Sequence, residues 1–141
     1  MSVFVVDSSV AIKWYVPEAL SAEALRVRSS GTTLHAPDFL DVEVAAIVWK
    51  KIRRGVMTRT VADGILADLA VLGIITYHAT GPLVGPAFDL ADQTGRTVYD
   101  CLYLALAVQL GGVMVTGDEK LVNALAGTPW AGSVLRLADM P

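Results

Sequence analysis

The sequence predicts an α/β sandwich, with a mostly parallel central sheet of about five strands flanked by helices. The length of 141 residues matches one domain, since domains commonly run to roughly 100–200 residues. Hydrophobic residues make up 54% of the chain and charged residues 18%, which indicates a folded core rather than disorder. Short apolar runs alternate with segments of helical spacing, as expected where helices connect parallel strands. We therefore predict one domain over residues 1–141.

Five short apolar runs bounded by polar or glycine residues are the predicted strands. They are Val3 to Val6, Thr33 to His35, Gly73 to Tyr77, Val113 to Thr116 and Val134 to Leu137. Six segments between them have the spacing of helices. They are Ala19 to Ser29, Asp38 to Arg54, Arg59 to Leu72, Pro82 to Thr94, Val98 to Leu110 and Glu119 to Ala126.

Two of these helices carry further signals. Pro37 and Asp38 suit the start of the second long helix, because proline and acidic residues favour helix N-termini. An apolar stripe on that helix should face the sheet; it consists of Leu40, Val44, Ile47 and Val48. Thr97 and Asp100 fit a capping box at the start of the nearly all-apolar helix, which Gly111 and Gly112 should end. This helix is predicted to be buried nearly all round.

Charge and composition exclude several classes of protein. The net charge of -3 gives no general attraction for nucleic acid, which argues against a DNA-coating protein. The longest uncharged stretch, Leu69 to Phe88, contains glycines and prolines that argue against a membrane span. No basic segment precedes the apolar run at the start, so we predict no signal peptide and a cytoplasmic location. Cys101 is the only cysteine and there are two histidines, so any metal site must use oxygen ligands.

Four acidic residues stand out as candidates for chemistry. Asp7 and Asp118 each follow a predicted strand, although each could also cap a helix. Asp100 could serve in its capping box. Glu43 lies beside the apolar stripe with no Lys or Arg three or four positions later, which favours a buried or cleft-facing role.

These acids are predicted to converge. In a parallel sheet with right-handed crossovers, strand-to-helix turns share one edge, so Asp7 and Asp118 should meet there. Asp100, near a helix start, and Glu43, on a helix face, could approach the same place. Clustered carboxylates raise each other's pKa unless a cation neutralises them. Oxygen ligands favour Mg²⁺ or Mn²⁺, and such a metal suits phosphodiester cleavage by an activated water.

The ordered motifs resemble those of the PIN domain family, specifically the VapC toxins of bacterial toxin–antitoxin pairs. The resemblance covers essentially the whole chain. The segments that carry it are Val5-Val6-Asp7-Ser8-Ser9-Val10, Trp14 with Pro17-Glu18, Pro37 onward to Glu43, Tyr99-Asp100-Cys101-Leu102-Tyr103-Leu104-Ala105 and Thr116-Gly117-Asp118.

The resemblance implies a PIN-like three-layer sandwich and a metal-dependent ribonuclease. Asp7, Glu43, Asp100 and Asp118 match the acidic cluster that binds Mg²⁺, for which Mn²⁺ could substitute. Ser8 and Thr116 match polar positions that could orient water or ligand. The resemblance also implies an RNA substrate, a cognate VapB-type antitoxin lying across the active-site groove, and a homodimer.

Three alternatives stay open. Arg96 is a better candidate for a phosphate contact than the basic residues that end the second long helix, although a solvated loop charge is the favoured alternative for it. A haloacid dehalogenase-like phosphatase would also begin with a strand ending in Asp, but Ser9 occupies the position of its second Asp and no convincing lysine precedes Gly117-Asp118. A PIN-like module that binds RNA or protein without cutting is the non-enzymatic alternative, which the presence of all four acids disfavours.

Overall fold

A five-stranded, wholly parallel sheet forms the centre of the protein, whose computed structural model describes residues 3–141. The strands are β1 (Val3–Val6), β2 (Thr33–Pro37), β3 (Ile75–His78), β4 (Val113–Thr116) and β5 (Val134–Arg136). Their spatial order is β3-β2-β1-β4-β5, and every neighbouring pair runs parallel. The predicted α/β fold with a mostly parallel sheet is therefore confirmed.

The middle of the sheet is a topological switch point. The chain moves outward from β1 to β2 and β3, and then returns to add β4 on the opposite side of β1. Register pairs Val6 of β1 with Val115 of β4. Open α/β sheets bind ligands beyond the carboxyl ends of their strands at such a reversal.

Helices cover both faces of the sheet. Consecutive strand residues point to opposite faces, yet Val5 and Val6 are both fully buried, as are Met114 and Val115. The described residues form seven α-helices: α1 (Ser8–Ala11), α2 (Ser21–Ser29), α3 (Leu40–Arg53), α4 (Arg59–Val71), α5 (Val84–Thr94), α6 (Val98–Leu110) and α7 (Glu119–Leu125). Within residues 3–141, none of the helices has the length and apolarity needed to cross a bilayer.

The boundaries differ from the prediction at a few points. Helix α1 was not predicted, because four residues are too few to show a helical period. Strand β3 starts at Ile75 rather than Gly73, since Gly73 adopts a positive φ just after α4. Pro82 lies in a short 3₁₀ turn, Gly81–Leu83, that precedes α5.

The predicted role of Asp38 at the start of the second long helix is wrong. Pro37 ends β2, and α3 begins only at Leu40. The Asp38 carboxylate instead accepts hydrogen bonds from the backbone N–H of Thr80 (3.1 Å) and from its hydroxyl (2.5 Å). Asp38 therefore joins the β2–α3 turn to the segment after β3. The stripe that begins at Leu40 packs inward as predicted.

Helix α6 is buried as predicted. Every residue from Cys101 to Ala107 is buried, and the Thr97 hydroxyl caps the helix by accepting from the backbone N–H of Asp100 at 3.1 Å. Gly111 ends the helix with a φ of 64°, a conformation that glycine adopts without strain.

Gly112 permits a close approach between two chain segments. A Cβ at this position would lie 2.5 Å from the backbone oxygen of Val3. Glycine is therefore required where the chain passes from α6 into β4 beside β1.

We expect Gly112→Ala to destabilise the protein by roughly 1–3 kcal/mol, because the added methyl group overpacks this contact. Gly64→Ala is the matched control: Gly64 lies inside α4, where an added methyl group would meet only open space, so alanine should stabilise the helix by roughly 0.5–1 kcal/mol. Urea unfolding of both variants measures the difference. An unchanged or raised stability for Gly112→Ala would contradict the expectation.

Candidate active site

Asp7 lies at the carboxyl end of β1 and is the most enclosed of the four acids. Only 7% of its surface is exposed. Its Oδ1 accepts from the Ser9 hydroxyl (2.5 Å) and from the backbone N–H of Val10 (3.2 Å), which caps α1. Its Oδ2 accepts from the hydroxyl of Thr116 at 2.5 Å. The capping role that the sequence left open for Asp7 is therefore observed, and the same carboxylate belongs to the candidate site.

Two hydroxyl groups join β1 to the turn after β4. The Thr116 hydroxyl accepts from the backbone N–H of Asp118 at 3.1 Å while donating to Asp7. The Ser9 hydroxyl accepts from the backbone N–H of Gly117 at 2.8 Å while donating to the same carboxylate. The position of Asp118 is thereby tied to that of Asp7, and the Oδ1 of Asp118 caps α7 through the backbone N–H of Leu121.

Glu43 reaches the site from the first turn of α3. It is half-buried, and its Oε1 accepts a short hydrogen bond from the phenol of Tyr103, a side chain of α6 that is 1% exposed. Burial raises the pKa of Glu43 most, and the charges of Asp7 and Asp100 raise it further, whereas the Tyr103 hydrogen bond lowers it. The predicted inward role of Glu43 agrees with this environment.

Asp100 lies in the first turn of α6 and is half-buried. Burial is the main cause that raises its pKa, and the negative charge of Asp118 adds to it. The Thr97 hydrogen bond and the positive charge of Arg96 act in the opposite direction. Arg96 is therefore electrostatically coupled to this acid, although its own side chain is only half-buried.

The four acids share one electrostatic environment. Burial raises the pKa of Asp7 from an ordinary value of 3.8 to about 6, against the lowering effect of its hydrogen bonds, and the charge of Asp100 contributes to the rise. Each acid is therefore coupled to at least one other. Among residues 3–141, however, no three His, Cys, Asp or Glu side chains converge closely enough to form a ready-made metal site.

Sequence reasoning missed two side chains at this site. Ser9 entered as part of a motif and as a departure from the phosphatase pattern, with no assigned role, yet its hydroxyl donates a hydrogen bond to Asp7. Its place two residues after an acid at a strand end was the available signal. Tyr103 was part of a motif but had no assigned role, and its position in an apolar helix gave no indication of a carboxylate partner. Ser8, predicted as accessory, lies beside Glu43 and lowers its pKa.

Comparison with known proteins identifies the family. The PIN domain pattern matches residues 4–125. Ribonuclease VapC3 of Pyrobaculum aerophilum is 38% identical over 120 residues, which cover 84% of this chain and 92% of that protein.

Solved structures share the fold. The crystal structure of PAE2754 from Pyrobaculum aerophilum has a TM-score of 0.71 at 23% identity, covering 97% of this chain and 90% of that one. A toxin-antitoxin complex from Klebsiella pneumoniae contains a chain with a TM-score of 0.64 at 15% identity, covering 97% and 98%. The PIN-like α/β sandwich predicted from the motifs is thus confirmed. The chain belongs to the PIN domain family and, within it, to the VapC-type ribonucleases.

Proposed function

We propose that this protein is a Mg²⁺-dependent endoribonuclease, a single PIN domain that acts as the toxin of a VapBC-type toxin–antitoxin pair. The observation that carries the proposal is the group of four electrostatically coupled acids at the switch point of the sheet, with Asp7 buried among them. The name of the relative from Pyrobaculum aerophilum, a ribonuclease, supports the same activity.

The chemistry of the donor set fits a hard divalent cation. Asp7, Glu43, Asp100 and Asp118 offer only carboxylate oxygens, which Mg²⁺ prefers and Mn²⁺ also accepts. Mg²⁺ usually binds through one or two carboxylates and keeps several waters, so the four acids need not all ligate one ion. Both oxygens of Asp7 accept hydrogen bonds but retain lone pairs for a further partner. We assign metal binding to these four residues.

Each residue has a distinct task in the proposed reaction. When bound, the metal polarises the phosphate and lowers the pKa of the attacking water. Ser9 and Thr116 fix the orientation of Asp7, and Tyr103 fixes that of Glu43. Ser8 and Thr116 are the proposed accessory residues for water or ligand. The carboxylates alone would repel RNA, so we expect cleavage to fail when the cation is removed.

Arg96 is the proposed contact for an RNA phosphate. Its positive charge lowers the pKa of Asp100, and this coupling to one of the acids supports the proposed contact. Arginine suits this task because its planar group donates two parallel hydrogen bonds to phosphate oxygens.

The proposed partners follow from the family. We infer a cognate VapB-type antitoxin that covers the site, and the toxin–antitoxin complex among the structural neighbours supports such a partner. We also infer a homodimer and a cytoplasmic location, where RNA substrates are available.

Cleavage of total cellular RNA by the purified chain, freed of any partner, tests the proposal. Discrete fragments should form with Mg²⁺ and not with EDTA. RNA binding without cleavage in any metal would favour the binding-module alternative, and equal cleavage without metal would contradict the Mg²⁺-dependent mechanism.

Tyr103→Phe should lower cleavage at neutral pH by about 10- to 100-fold, the usual effect of losing a partner that orients a metal ligand. The lost hydroxyl no longer lowers the pKa of Glu43, so the acidic limb of the pH–rate profile should move to higher pH. Tyr15→Phe is the matched control, because Tyr15 donates to Asp68 at 2.6 Å in a different part of the molecule. A wild-type profile for Tyr103→Phe would show that this hydrogen bond does not tune the reaction.

A further inference from the structure

An exposed aromatic side chain, stacked on a partly buried one, directly precedes an acid of the site and has no role in the proposed reaction. Tyr99 is 59% exposed and stacks on Phe39, with ring centroids 5.5 Å apart and ring planes 13° from parallel. Tyr99 directly precedes Asp100 in α6. Phe39 precedes α3 and its carbonyl accepts from the backbone N–H of Glu43 at 3.1 Å. The pair therefore joins the starts of the two helices that carry these acids.

The ring of Phe39, on which Tyr99 stacks, is held in place by contacts on its own segment. The backbone N–H of Phe39 donates to the Thr80 hydroxyl at 3.1 Å, and that hydroxyl donates to Asp38. Phe39 is partly buried against the core, so one face of Tyr99 rests on a fixed support. A ring that is buried on one face and exposed elsewhere is a ready surface for another flat group.

We propose that Tyr99 is a stacking platform for one unpaired base of the RNA substrate, next to the phosphate that is cut. This inference rests on the proposed ribonuclease function. Proteins that bind single-stranded RNA stack bases on exposed aromatic rings, whereas bases in a duplex are already stacked on each other. The platform therefore directs the site toward unpaired segments of RNA.

Binding in the cleavage-deficient Asp7→Asn background tests this platform. The probe is a single-stranded ten-nucleotide oligoadenylate with one central 2-aminopurine, whose fluorescence reports stacking. Tyr99→Ala should weaken binding by roughly 5- to 100-fold and reduce the fluorescence change, because stacking on one aromatic side chain is worth that much. Tyr99→Phe should retain the affinity and the fluorescence change of its parent. When the same strand is paired with oligouridylate, Tyr99→Ala should alter neither its binding nor its fluorescence.

Phe88→Ala is the matched control, since Phe88 is 65% exposed on α5 and takes no part in the site. The inference would be overturned if Tyr99→Ala and its parent bound the probe with equal affinity and gave equal fluorescence changes. It would also be overturned if neither protein bound the probe. A Tyr99→Ala variant that binds RNA normally but loses affinity for a protein partner would overturn it in favour of a protein-docking role. Failure of the wild-type chain to cut RNA, with the stacking signal intact, would reject only the ribonuclease proposal.

Discussion

Asp7→Asn and Asp100→Asn are each expected to reduce Mg²⁺-dependent RNA cleavage by on the order of 10³-fold, since a catalytic metal supplies several kcal/mol of transition-state stabilisation. Both substitutions keep the size of the side chain and remove its charge. Asp7 is buried and accepts hydrogen bonds from the hydroxyls of Ser9 and Thr116, while Asp100 is half-buried and interacts with the charge of Asp118. Gel analysis of RNA fragments with titrated Mg²⁺ measures the loss.

Asp92→Asn is the control for these two variants, because Asp92 is an exposed carboxylate on α5. It should cut RNA at the wild-type rate. Circular dichroism spectra that match the wild type would show that the inactive variants are folded. Wild-type cleavage by either site variant would remove that residue from the metal-binding set.

Relative to the wild type, metal-free Asp7→Asn should gain up to about 3 kcal/mol of stability between pH 4 and pH 8. The rise in the pKa of Asp7 from 3.8 to about 6 corresponds to a free energy of this size. Between these two pKa values the folded chain retains a proton that the unfolded chain has released, so stability falls as pH rises through this window. Above about pH 6 the full cost of the buried charge is present, and below about pH 4 it vanishes.

Urea unfolding in EDTA at pH 4 and pH 8 measures this effect. The stability of the variant relative to the wild type should be higher at pH 8 than at pH 4, whereas Asp92→Asn should stay within about 0.5 kcal/mol of the wild type at both. Added Mg²⁺ should stabilise the wild type more than Asp7→Asn, because a ligand stabilises only the state that binds it. A stability difference from the wild type that is the same at pH 4 and pH 8 would show that the charge of Asp7 does not oppose folding, because the hydrogen bond that the amide NH₂ cannot accept is lost at both pH values.

Much of the fold could be predicted from periodicity alone. Strands β1 and β4 and helix α6 have the predicted bounds, because their apolar runs stop at Asp7, Gly117 and Gly111. Helix α1 could not be predicted, since one turn has no period to detect. Asp38 was misassigned because its partner, Thr80, lies 42 positions away.

The sequence alone led to the four acids of the candidate site, whereas it gave no indication of the neutral side chains that hydrogen-bond to them. Asp7 and Asp118 were visible because a carboxylate after a strand has a known position in a parallel sheet. The hydrogen bond between Tyr103 and Glu43 spans 60 positions and depends on how α6 packs, which no local pattern records. The local sequence pattern therefore pointed to the acids, whereas tertiary packing determines which neutral side chains donate hydrogen bonds to them.

The placement of β4 beside β1 has a consequence for synthesis on the ribosome. Thr116 bonds to Asp7 across 109 positions, so the acidic site cannot form until nearly the whole chain has emerged. A nascent or truncated chain that lacks β4 holds at most three of the four acids and has no partner for Oδ2 of Asp7. We therefore expect such an incomplete chain to lack nuclease activity.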